Sequence, residues 1–179
     1  QMVRDAARAV QVAHEQGIVH RDLKPENLMV TTAAKPSTGR FEKGKAAAHH
    51  LYVMDFGLAR ATEGASQLTM SGLVVGTPSY MPPEQARGER VDARADVWSL
   101  GATLYDLLGG RPPFKGENVY ATLREVQERD PVPLRRLKSG TDSDLETIVF
   151  KCLEKEMARR YGSAAELADE LDRWLEGEP

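Results

Sequence analysis

Asp22, Lys24 and Asn27 stand close together in the segment His20-Arg21-Asp22-Leu23-Lys24-Pro25-Glu26-Asn27, and a second carboxylate, Asp55, follows in Asp55-Phe56-Gly57. Each brings a distinct capability. A carboxylate such as Asp22 can accept the proton of a hydroxyl. An ammonium such as Lys24 can lie against a developing anion, and the oxygens of Asn27 and Asp55 are hard ligands suited to a partly hydrated Mg2+. Taken singly they decide little, because Asp-Phe-Gly alone is commonly a turn and a lone lysine is commonly solvated. His14, His49 and His50 have no carboxylate or cysteine at ligand spacing; His14 reads as a packed helix residue and the other two as exposed.

The order of the segments makes the pattern specific. Residues His20 to Asn27 fit all five fixed positions of H-R-D-L-x-x-x-N, a match that chance supplies on the order of once in 10⁴ chains of this length. Asp55-Phe56-Gly57 follows on the end of an apolar run, and Pro82-Pro83-Glu84 occupies the place of A-P-E. Agreement extends through Gly76-Thr77-Pro78-Ser79-Tyr80, Asp96-Val97-Trp98-Ser99-Leu100-Gly101 and Arg160-Tyr161. On these residues the sequence resembles the C-terminal lobe of a Hanks-type serine/threonine protein kinase, in a bacterial style, over the whole chain apart from an insertion at 31–50.

The resemblance implies ATP and Mg2+ (or Mn2+) as cofactors and Ser/Thr hydroxyls of proteins as acceptors. Phosphoryl transfer has a loose transition state with its charge on phosphate oxygens. Asp22 is then the base and Lys24 the γ-phosphate contact. Asn27 and Asp55 are the metal ligands, and the Thr77 hydroxyl lies against Asp22 and Lys24. His20 is structural, packing on Phe56 beside Gly57. Arg21 is placed to pair with a phosphate on Thr69 or Ser71, seven and five residues before Gly76; Thr62 and Ser66 are weaker candidates. Glu84 and Arg160 match a buried ion pair, and Asp96 an acceptor for backbone N–H groups of the catalytic loop. Pro82 and Met157 depart from the family's usual Ala and Pro. The family also has a Gly-rich loop, a strand lysine and a helix glutamate ahead of the position of Gln1. None of these occurs in the 179 residues, so the chain reads as a lobe cut from a longer kinase and inactive on its own. A pseudokinase-like binding module would have lost some of Asp22, Lys24, Asn27 and Asp55, which are intact. A small-molecule phosphotransferase would not need Arg21 or the 76–84 segment.

The positioning elements are mostly helical. Val3, Ala6, Ala7, Val10 and Ala13 recur at helical spacing before Gly17. Leu28–Val30 and Leu51–Met54 read as strands, separated by the polar 31–50 insertion. Residues 58–84 form an irregular activation and substrate-docking segment. Arg94 to Gly109 reads as a buried central helix, followed by helices at 118–128, 143–155 and 163–176, the last opened by the capping box Ser163-Ala-Ala-Glu166. The fold class is mainly α with a small β component, a protein-kinase-like C-lobe.

Composition bounds the rest. The chain has 179 residues, a formal charge of −3 and one cysteine, which excludes a disulfide scaffold or a cysteine zinc cluster. The acidic balance argues against nucleic acid. No long apolar run crosses a membrane, so a cytoplasmic location is expected, with any anchor outside this segment. Cys152 reads as a small core residue.

Overall fold

Val3, Ala6, Ala7 and Val10 form the buried face of α1 (Met2–Glu15) in a computed structural model that describes residues 1–32, 49–56 and 77–178. The helix lies against α7 (Ala164–Glu176), whose Leu167, Ala168 and Leu171 complete the same core. Arg4 pairs with Asp172, and Arg8 with Asp169 at 2.6 Å, along the rim of that contact. These pairs are partly exposed, so packing outweighs them.

The centre of the molecule is α3 (Arg94–Gly109), buried without interruption from Ala95 to Thr103. A helix that is apolar on every side must be covered on every side, and two core clusters meet across it. Val97 and Leu100 face α1, α7 and α6 (Ser143–Cys152). Trp98, Ala102 and Tyr105 face Phe114, Val126 of α4 (Val119–Glu128) and Leu134 of α5 (Leu134–Leu137). Gly101 permits the closest approach: a Cβ there would stand 2.2 Å from Cys152 Cβ, so α3 and α6 cross almost backbone to backbone. Gly110 ends α3 at φ 73°, a left-handed cap that glycine adopts without steric penalty.

The central helix spans the predicted residues, and α4 and α7 start one residue later because Asn118 and Ser163 serve as N-caps, accepting from Ala121 N and Glu166 N. Glu166 completes the cap by accepting from Gly162 N at 2.8 Å. Three local expectations are corrected. The 143–155 helix stops at Cys152, because the carbonyls of Glu154 and Lys155 turn inward to accept from the Arg160 guanidinium. Two one-turn helices appear beside prolines: α2 (Pro83–Ala86), whose first residue has a fixed φ preorganised for a first turn, and α5, which Pro133 precedes as N-cap. The strands extend into both ends of the 31–50 insertion, and Met54 falls outside the second: β1 is Leu28–Thr32 and β2 is His49–Val53. Thr31, Thr32, His49 and His50 join the ladder through backbone bonds that do not depend on apolar side chains.

Candidate active site

The strand register decides which loop ends meet. Antiparallel pairing sets Leu28 opposite Val53, and the Met54 N–H donates to Asn27 O at 2.9 Å. Asp55 therefore emerges beside Asn27. Its φ of 60° is uncommon for a residue with a Cβ and marks a backbone held by its surroundings. Asn27 is buried, and its Nδ2 donates to Asp22 O at 2.8 Å, which commits the amide nitrogen to the loop and leaves Oδ1 as the oxygen that can meet a ligand. Among the described residues no trio of His, Cys, Asp or Glu could hold a metal. One carboxylate and one carboxamide oxygen on adjoining segments nevertheless fit Mg2+, which completes its shell with water and substrate phosphate, and do not fit zinc.

Lys24 links the two segments of the site. Its Nζ lies 3.0 Å from Asp22 Oδ2 and donates to Thr77 Oγ1 at 3.0 Å, although Thr77 is 53 residues away. The base candidate, the ammonium and the hydroxyl thus form one cluster, partly open to solvent, where a carboxylate and a cation remain reachable by substrate.

A buried polar frame holds this cluster. Asp96, fully buried on α3, accepts from His20 N and Arg21 N at 2.8 Å each and contacts His14 Nε2 at 2.7 Å. A buried carboxylate requires such donors. His20 Nε2 donates to Met54 O at 2.8 Å, its Nδ1 accepts from Asp22 N at 3.3 Å, and its ring lies 4.6 Å from that of Phe56. These partners assign the ring proton to Nε2 and place the imidazole between the catalytic loop and β2. Arg21 has φ 69°, and its carbonyl accepts from Gln85 Nε2 at 3.2 Å.

Glu84 and Arg160, neither side chain exposed, pair in a bidentate fork at 2.7 and 2.8 Å. The remaining guanidinium donors reach the carbonyls of Glu154, Arg94 and Lys155, so all five N–H groups have acceptors. Lys155 lies beside this knot, its Nζ donating to Val126 O at 2.6 Å over the rings of Phe114 and Trp98. Burial lowers its pKa to about 8 against the opposing pull of Asp130. Tyr80 donates to Asp106 at 2.6 Å; burial and that bond raise its pKa, keeping the hydroxyl a donor.

Gly57, Thr69 and Ser71 lie outside the described residues, as do Thr62 and Ser66. The structure draws together Asp22, Lys24 and Thr77, sets Asn27 beside Asp55, and joins Glu84 to Arg160 and Asp96 to the loop. Sequence reasoning missed His14 as an Asp96 partner, the Tyr80–Asp106 bond and Gln85. No local periodicity signals any of these; only the adjacency of Gln85 to Glu84 could have drawn notice.

The protein kinase domain model matches residues 1–171. The chain is 39% identical over 179 residues to the serine/threonine-protein kinase PknB of Mycobacterium leprae. It is 39% identical over 180 residues to that of Mycobacterium tuberculosis and 40% identical over 179 residues to that of Mycolicibacterium smegmatis. Those alignments take in 99–100% of this chain but 26% of each relative, so the chain spans about a quarter of their length. No helix among the described residues is long and apolar enough to cross a membrane.

Proposed function

The chain belongs to the protein kinase domain family, and on that premise we propose that it forms the metal- and substrate-binding lobe of a serine/threonine protein kinase. The observation that carries this reading is the cluster in which Lys24 Nζ meets both Asp22 and Thr77 at 3.0 Å. The Asp22 carboxylate accepts the hydrogen bond of a substrate Ser or Thr hydroxyl and takes its proton as the oxygen–phosphorus bond forms and ADP leaves. Lys24 holds positive charge where the transferring oxygens gather negative charge. Thr77 tethers Lys24 to the substrate side of the site. Asn27 and Asp55 hold Mg2+ or Mn2+, which when bound supplies neutralisation of the nucleotide phosphates. The serine/threonine kinases to which the chain is similar support a protein acceptor, as does the docking segment that ends in Glu84. Use of ATP as donor supports a cytoplasmic location for the domain, with any membrane anchor elsewhere in the protein.

Transfer of γ-phosphate to a protein substrate tests this in the full-length protein. The wild type is expected to run within the ~1 to 100 s⁻¹ typical of kinases, and Asp22→Asn at least a hundredfold slower. Residues 1–179 alone, which include no Gly-rich loop or strand lysine, are expected to match the Asp22→Asn control. A full-length wild type no faster than that control would favour a binding module that keeps the fold without the chemistry. Phosphopeptide mass spectrometry of the active protein tests Thr69 and Ser71 as the sites that Arg21 answers.

A further inference from the structure

We infer that Gln85 is a positioning residue that holds the catalytic loop in its working conformation, an inference that rests on the phosphotransfer reading. Arg21 sits at φ 69°, a region where a residue with a Cβ persists only when its neighbours over-determine it. The two peptide groups that flank it are each gripped by a side chain from a different element. Its N–H donates to Asp96 Oδ1 on α3 at 2.8 Å. Its carbonyl accepts from Gln85 Nε2 on α2 at 3.2 Å. That carbonyl belongs to the peptide bond leading into Asp22, so its direction sets the orientation of the Asp22 Cα and carboxylate.

The rest of the Gln85 side chain argues that the contact is specific. Gln85 is 5% exposed, and its Oε1 is buried with no hydrogen-bond partner among the described residues. An orphaned amide oxygen is unfavourable, and a Leu or Met would fill the same space without it; the amide contributes one donor, aimed at Arg21. Turning the amide over would set two oxygens against each other. The element carrying Gln85 is only one turn long and has no side-chain cap. Its place is fixed by the adjacent Glu84, locked to Arg160. A continuous path of polar contacts thus runs from Arg160 through α2 to the residue before the base.

The test uses the full-length protein with Gln85→Met, which keeps volume and removes the donor, and Gln85→Glu, which can donate only while protonated. Gln85→Met is expected to lower kcat about tenfold, or about 1.4 kcal/mol, with KM for ATP within about twofold. Hydrogen exchange in the peptide spanning residues 18–24 should quicken about tenfold while α7 stays protected. Burial favours the neutral carboxyl of Gln85→Glu, so its rate relative to wild type should rise as pH falls from 8 to 6. Unchanged kcat and exchange in Gln85→Met would overturn the inference. So would a kcat loss with general unfolding and a pH-flat Gln85→Glu, which would assign Gln85 to packing. A wild type no faster than Asp22→Asn would sink the phosphotransfer reading instead, and the exchange measurement would still decide whether Gln85 holds the loop.

Discussion

Glu84→Gln isolates the charge of the buried fork while keeping its shape. In the native protein both carboxylate oxygens take guanidinium N–H groups at 2.7 and 2.8 Å, and neither side chain is exposed. The glutamine offers one oxygen and sets an NH2 against the other guanidinium nitrogen, leaving a buried cation without its counter-charge. Removing one partner of such a pair costs about 3 to 5 kcal/mol, and the retained shape places this variant near 3. Arg160→Met should fall at the upper end, because it also strands the carbonyls of Glu154, Arg94 and Lys155. Cys152, the one cysteine of the chain and fully buried, supplies the assay. Its alkylation as a function of urea, read by mass spectrometry on its own peptide, reports opening of this core even within a longer protein. With a dependence of about 2 kcal/mol per molar urea, Glu84→Gln should lower the midpoint by about 1.5 M. The double variant Glu84→Gln/Arg160→Met should lose about 2 kcal/mol less than the sum of the singles. A shift below about 0.5 M, or additive singles, would refute the view that charge pairing in this fork supports the fold.

Gly101→Ala should lower the stability of the domain by about 1 to 3 kcal/mol, since its Cβ meets Cys152 Cβ at 2.2 Å; a thermal midpoint equal to wild type would mean that α3 and α6 can separate freely. Lys155, its pKa lowered by burial to about 8 from 10.5, releases its proton in the folded state before the unfolded state does. Wild type should therefore gain stability relative to Lys155→Met between about pH 8 and 10.5, with a constant difference below pH 8; a difference flat across the whole range would refute the shift.

Much of the site was legible because its parts are near one another in the chain. Asp22, Lys24 and Asn27 occupy one loop, and their types at that spacing already point to proton acceptance, charge neutralisation and a hard cation. The long-range partners of Asp96, Glu84 and His20 were expected only through resemblance to a family, since nothing in residues 84 and 160 by themselves says that they touch. The α3 boundaries and the cap at Ser163 were readable because each depends on backbone groups within about one turn.

What the sequence determined is therefore local: the helix faces, the caps, and the order of side chains along the catalytic loop. Tertiary structure alone decided that α6 ends at Cys152 so that the next carbonyls can face Arg160, and that His14 reaches Asp96 and Gln85 reaches Arg21; the meeting of Lys24 and Thr77 across 53 residues was expected only through the family resemblance. The physical reason is that such contacts require closing long stretches of chain, an entropy loss offset only by the summed burial around α3, and no short window of sequence contains that sum.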